Sequence, residues 1–321
     1  MNKSRKTALQ TYELSELRTL TLGGFPQKIT IDGKTKTAPI LISLHGGPGS
    51  PLPFSEGCRG MFPEITDKLT LVCWDQLGCG INDYPIDDSF RIKNFTDMTA
   101  DLIREIKRSF PENKLYLFGV SWGSILAAYA ASSPEAYLLD GVFISGQVIC
   151  DMTFNGEVEE ALKSSKMPEG KKKKLDSLMS AHTADNAKLV MSYIRKYTEG
   201  YVCKAEKSAP VGRILMGMLT SPDYTFKNLK AALINGYMKN SSLIKELLEI
   251  DLREVLENVK VPYLIMQGDR DIVTSVKAVE RFVSETENGN LSFIKIENSG
   301  HVFGEVAMNR IISEIIRYAC P

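Results

Sequence analysis

The run KLYLFGVSWGSILAAYAA, residues 114–131, decides how this chain is read. An apolar stretch, Leu115 to Phe118, meets Gly119-Val120-Ser121-Trp122-Gly123 and passes at once into small and apolar residues at helical spacing. That order predicts a strand, a sharp turn and a helix, with Ser121 at the apex. A serine on so tight a turn takes a backbone conformation in which side chains two residues to either side would collide, so glycine is needed at 119 and 123. Ser124, Ala127 and Ala128 are small enough to let the new helix lie close on the sheet. The hydroxyl is then held up at the sheet's carboxyl edge.

Glycine and serine are common, so the pattern gains its weight from what accompanies it. A hydroxyl becomes a nucleophile when a base takes its proton, a third group orients that base, and donors meet the oxyanion that forms. The chain has three histidines, His45, His182 and His301. His301 follows Ser299-Gly300, between the alternating run LSFIKI (291–296) and a C-terminal helical pattern, which is where a mobile base is expected. His182 lies in a polar helical stretch and is expected to face solvent. His45 opens HGGPG (45–49), directly after the strand pattern APILISL (38–44), and has a different role.

If the serine turn belongs to the α/β-hydrolase arrangement, whose chain order is serine, acid, histidine, the orienting carboxylate is expected between Ser121 and His301. The buried-strand pattern VPYLIMQ (261–267) runs into Gly268-Asp269-Arg270-Asp271, and the residue further past the strand can turn back over the sheet edge. Asp271 is therefore the expected partner of His301, and Asp269 the expected turn cap. The oxyanion needs two convergent backbone N–H groups fixed before reaction. One is the amide of Trp122; Gly46 is the first choice for the second, with Gly47 next. Pro48 stiffens that turn and gives up its own donor.

These runs, together with WDQLGCG (74–80), resemble the prolyl aminopeptidase (proline iminopeptidase) branch of the α/β-hydrolases. The resemblance covers the two outer parts of the chain and not its middle. It implies an α/β-hydrolase fold and a serine peptidase that releases an N-terminal proline or another small residue from short peptides, using Ser121, His301 and Asp271. Relatives include esterases and amidases, so an esterase or amidase of small metabolites is the alternative, and a ligand-binding protein on the same scaffold is a third. Leu77 and Cys79 stand where the family's Asp-Gln-Arg-Gly-Ser-Gly has arginine and serine. The family's cap also supplies glutamates for the substrate's free amine, for which Glu157, Glu159, Glu160 and Glu199 are candidates by composition.

Outside the motifs, residues 17–31 alternate around Gly23-Gly24 as an antiparallel hairpin, and strand patterns then alternate with helical ones. That alternation predicts an α/β fold, a mostly parallel twisted sheet with helices on both faces. After the sixth strand the pattern changes. Residues 149–245 carry charged helical stretches and no convincing strand, which predicts a helical cap, or lid, inserted into a core formed by 1–148 and 246–321.

Lysine plus arginine equal aspartate plus glutamate at 39 each, so no global field steers polyanions and nucleic acid is not an expected partner. No apolar stretch is long enough to span a bilayer, and the basic N-terminal residues lack a following apolar segment. The six cysteines form no C-x-x-C pair, as expected of reduced thiols in a cytoplasmic protein. Acyl transfer by these residues calls for no cofactor and no metal. A small molecule or short peptide is the expected substrate, with oligomeric state left open.

Overall fold

The computed structural model describes residues 6–7, 10–205, 211–235 and 237–321. Eight strands form one sheet: β1 (Leu14–Leu22), β2 (Phe25–Gly33), β3 (Ile40–Leu44), β4 (Thr70–Cys73), β5 (Leu115–Val120), β6 (Gly141–Ser145), β7 (Tyr263–Gly268) and β8 (Leu291–Ile296). Their order across the sheet is β1-β2-β4-β3-β5-β6-β7-β8. The hairpin β1–β2 and the β2–β4 pair are antiparallel, and every pair from β4 to β8 is parallel. The expected fold class is the one observed.

The continuous apolar runs follow from burial on both sides of a parallel sheet. Successive side chains alternate between faces. Ile40, Ile42, Leu115, Leu117, Val142, Ile144, Tyr263 and Ile265 pack into one core, against Phe95, Met98, Leu102 and Ile106 of helix α1 (Ile92–Ser109) and Ile125 and Leu126 of helix α2 (Trp122–Ser132). The intervening Leu41, Tyr116, Phe118, Phe143, Leu264 and Met266 pack on the opposite face against Ile311, Ile312 and Ile315 of the last helix, Glu305–Ala319. Helix α1 shows why it forms: its buried residues recur every three or four positions, giving one apolar stripe. Each such Ile or Leu contributes on the order of 1.5–3 kcal/mol by leaving water.

Between β6 and β7 the described residues contain helices and no strand. Phe154, Val158, Leu162, Val190 and Ile194 build a small separate core there. Further on, Ile214, Met218, Tyr224 and Leu229 join the core on the far face of the sheet, and Tyr237, Leu243 and Leu247 join the near one. Helix Ser241–Leu248 runs across the boundary expected at 245/246. Among the described residues no helix is long and apolar enough to cross a membrane.

Candidate active site

The turn between β5 and α2 places Ser121 at φ 51°, ψ −113°, a left-handed conformation that costs a non-glycine residue about 1–3 kcal/mol. Two bonds hold it there: the Ser121 N–H donates to the Ser145 carbonyl at 3.0 Å, and the Ser124 N–H donates to the Ser121 carbonyl at 2.7 Å. The flanking glycines are required by contact. A Cβ on Gly119 would lie 2.7 Å from the Gly123 carbonyl oxygen, and one on Gly123 would collide with the carbonyl of Leu44. Nine of the eleven residues of α2 are buried, so the small side chains after the turn let this helix lie in the core.

His301 and Asp271 meet Ser121 at the same edge. The imidazole Nε2 lies 3.0 Å from Ser121 Oγ, and Nδ1 lies 2.9 Å from Asp271 Oδ2. The Asp271 side chain is 1% exposed and that of His301 10%, so the carboxylate is sealed while the imidazole keeps an opening to solvent. Asp271 Oδ1 accepts the N–H groups of Val273 and Thr274 at 2.9 and 3.1 Å. Its Oδ2 takes the Thr274 hydroxyl at 2.7 Å and the Gln267 amide at 2.9 Å in addition to the imidazole. Asp269 instead accepts the Ser299 N–H at 2.9 Å and ties the acid loop to the histidine loop.

The glycine loop comes up beside the serine. A Cβ on Gly46 would stand 3.4 Å from Ser121 Cβ and 3.1 Å from the Val120 carbonyl oxygen, an approach open to glycine. Gly47, at φ 118°, shapes the turn: a Cβ there would press on the amides of Gly49 and Ser50 at 2.6 and 2.7 Å. Trp122 opens α2, where a helix's first amides have no acceptor within the helix.

His45 is buried and braces the three motif loops. Its Nε2 accepts the Gln76 N–H at 3.0 Å, so the ring proton sits on Nδ1 and is donated to the Gly46 carbonyl at 2.9 Å. The Gln76 side chain then donates to the His45 carbonyl at 3.3 Å and accepts the Trp122 indole N–H at 2.7 Å. Burial pulls the His45 pKa down to about 4, which keeps the ring neutral. Cys79 is buried beside it and donates to the Gln76 carbonyl at 3.2 Å; burial pushes its thiol well up, away from the thiolate a nucleophile needs. His182 is exposed and stacks on Phe154 at 4.5 Å.

Leu77 points into the apolar core, so no arginine serves the acids of the neighbouring loop. Asp75 accepts the Ser55 hydroxyl at 2.9 Å, the amides of Glu56 and Ile81 at 3.0 and 3.1 Å, and the hydroxyl of Tyr224 from the inserted segment. Burial raises the Asp75 carboxyl above its ordinary range despite these donors. Glu56 is raised well above its range by burial and then by Asp75 beside it, and among the described residues its Oε2 has no hydrogen-bond partner. The nearby Arg59 guanidinium is committed to Asp32 at 2.9 Å and Asp223 at 3.2 Å.

Of the four candidate glutamates, Glu159 pairs with Lys163 and Glu199 with Arg270, while Glu160 is exposed. Glu157 lies 3.7 Å from Lys277, and burial raises its carboxyl. Sequence reasoning missed Gln267, Thr274, Gln76 and Tyr224. A buried-strand pattern that ends in an amide, as at Gln267, was the one available signal. It also missed the inserted segment's hold on the histidine: the N–H groups of His301 and Val302 donate to the carbonyls of Gly200 and Tyr201 at 3.0 and 2.8 Å.

A family described as the alpha/beta hydrolase fold matches residues 39–165, the stretch that carries the glycine loop and the serine turn. With the sheet order and the turn geometry, this gives the chain the α/β-hydrolase fold. Within that class it is similar to proteins of the proline iminopeptidase branch. A Bacillus subtilis (strain 168) protein named "Probable aminopeptidase YbaC" is 26% identical over 89% of this chain and 90% of its own length. A proline iminopeptidase of Saccharolobus solfataricus is 25% identical over 82% of this chain and 78% of its own. Among solved structures, proline iminopeptidase of Mycobacterium smegmatis superposes with a TM-score of 0.62 over 95% of this chain and 98% of its own, at 16% identity, a likeness of fold.

Proposed function

We propose that the chain is a serine hydrolase, and that it acts as an aminopeptidase releasing N-terminal proline or another small residue from short peptides. One observation carries the hydrolase reading: the continuous hydrogen-bonded path from Ser121 Oγ through the imidazole of His301 to Asp271, at 3.0 and 2.9 Å. The peptidase reading rests on the relatives named aminopeptidase and proline iminopeptidase.

In this reading His301 Nε2 takes the Ser121 proton as the oxygen attacks the carbonyl carbon. Asp271 holds the Nδ1–H tautomer and stabilises the imidazolium. The amides of Trp122 and Gly46, with Gly47 as the alternative to Gly46, donate to the oxyanion; one such donor is worth about 2.7–4 kcal/mol of barrier. His301 then protonates the leaving amine, the C–N bond breaks, and an acyl-serine remains. Water repeats the sequence through the same base and frees the acid and Ser121. Residues 149–245 serve as the cap over this edge, and the protein works in the cytoplasm.

A second reading, an esterase or amidase of small metabolites, is favoured by one observation: Glu199 is engaged by Arg270 and Glu159 by Lys163 rather than held ready for a substrate amine. A fluorophosphonate probe should label the chain at Ser121, and Ser121→Ala should abolish labelling and turnover in a protein that still melts cooperatively. Labelling that survives the substitution refutes the serine mechanism. Hydrolysis of a proline anilide separates the readings, because a chain that cleaves only a short nitrophenyl ester is not the aminopeptidase.

A further inference from the structure

Gln267 lies in the last turnless stretch of β7, wholly buried, beneath the acid loop. A buried primary amide must satisfy its carbonyl and both N–H groups away from water. Its Oε1 accepts the Gln147 N–H at 2.9 Å, which settles which end of the amide is which. Its Nε2 then faces Asp271 Oδ2 at 2.9 Å, the Thr274 carbonyl at 2.6 Å and Thr274 Oγ1 at 3.0 Å.

Asp271 Oδ2 is the oxygen that the imidazole also reaches, so the Gln267 donor acts on the atom that faces His301. The other donors to Asp271, apart from the imidazole, are the Val273 and Thr274 amides and the Thr274 hydroxyl. All three belong to the loop that carries the aspartate and move with it. Gln267 does not. It sits on the strand and is anchored by Gln147, two residues past Ser145, whose carbonyl holds the Ser121 N–H at 3.0 Å.

We propose that Gln267 is a positioning residue: it registers the Asp271 carboxylate against the frame that carries Ser121 and draws charge from the oxygen that His301 uses. This rests on the reading of Ser121 as the nucleophile. A carboxylate that loses a donor concentrates its charge and attracts the imidazolium more strongly. The free base then forms at higher pH, and less of it faces the hydroxyl in the right geometry.

The test is the rate of fluorophosphonate labelling from pH 5 to 9 for the full chain and its Gln267→Met variant, which keeps the length of the side chain and removes the donor. The expected result is a cooperatively melting variant that labels about tenfold more slowly, with the acid limb of its profile moved up by roughly half a pH unit. A loss confined to stability would leave that limb in place. A folded variant whose rate and limb coincide with the parent's overturns the proposal. Should the methionine variant not fold, Gln267→Leu takes its place: it also removes the donor without adding a titrating group, and the same fall in labelling rate and the same upward move of the acid limb are expected. A folded Gln267→Leu variant whose rate and limb coincide with the parent's overturns the proposal equally. A parent chain that does not label at all refutes the nucleophile itself, which is a different outcome from a Gln267 variant that labels normally.

Discussion

His45, after β3, and His301, past β8, differ in what their ring nitrogens meet. Both nitrogens of His45 are engaged by main chain, the Gly46 carbonyl and the Gln76 N–H, with the Cys79 sulfur 3.5 Å from Nε2, and the residue is 2% exposed. Those of His301 face a hydroxyl and a carboxylate, with a side chain that is 10% exposed. On the proposed function, the same residue type is a brace in one place and a proton carrier in the other. Burial among main-chain partners holds a histidine neutral and structural; a hydroxyl on one side and an acid on the other are what a base needs.

The largest effect expected on this contrast comes from the His301 side. Asp271→Asn keeps the shape and removes the charge, and it should cut kcat by on the order of 10⁴ in a protein that still melts cooperatively, at a lower temperature because the new NH2 meets donors, as steady-state kinetics beside a thermal melt would show. A variant within tenfold of the parent would mean that the carboxylate is a strut and that the two histidines differ less than their partners imply.

The His45 side should answer in stability and not in charge transfer. Its pKa in the folded protein is about 4 against an ordinary 6.5, so between these values the unfolded chain binds the extra proton and the folded one does not. Stability from this group is full above pH 6.5 and is lost as pH falls towards 4, by about 3 kcal/mol. Glu56, raised by burial, works in the opposite sense, since its contribution is lost as pH rises past the ordinary carboxyl range. Comparing denaturant midpoints of the parent and His45→Gln across pH 4 to 7 isolates the histidine, and the acid-side loss should be flatter in the variant.

Tyr224→Phe sharpens the same side. It takes one donor from the buried Asp75 and should cost about 1–3 kcal/mol in urea unfolding, while the acid limb of the rate profile stays where it was. The smallest effect belongs to Glu199→Gln. The Glu199 and Arg270 side chains are 37% and 39% exposed, so solvent screens the pair and its loss should cost less than about 1 kcal/mol in the same measurement.

What could be read from the sequence was what sterics and chain order dictate. Gly119 and Gly123 announce the serine turn because any side chain there meets backbone, and the order serine, aspartate, histidine places the remaining two groups on loops after β7 and β8. The flanks of the three histidines separated them, since HGGPG marks a loop of glycine amides and Ser-Gly-His a strand-end loop where a mobile ring is expected; that His45 braces the loops was not legible. Less legible was everything that depends on how the inserted segment folds back. Tyr224 reaches Asp75 across 149 positions, and Glu199 finds Arg270 across 71, by pairings that no local pattern encodes. The missing arginine at 77 marked a change at Asp75, but not that hydroxyls and amides would replace it. Gln267 stood in plain view at the end of an apolar run, and its meaning lay in Gln147, which belongs to another strand's exit.

The carbonyls of Gly200 and Tyr201 form the bed on which the main chain of residues 301 and 302 rests. Lifting that stretch would unmake two backbone bonds directly beneath His301, and on the proposed function the imidazole would lose its aim at Ser121. The later part of the inserted segment is held by Asn235, which donates to the Gly49 carbonyl at 2.6 Å, and by the wholly buried Tyr237, which donates to the Leu77 carbonyl. The segment is thus tied to the histidine loop through main chain at one place and to the glycine loop through a side chain at another, so a change in it reaches both loops.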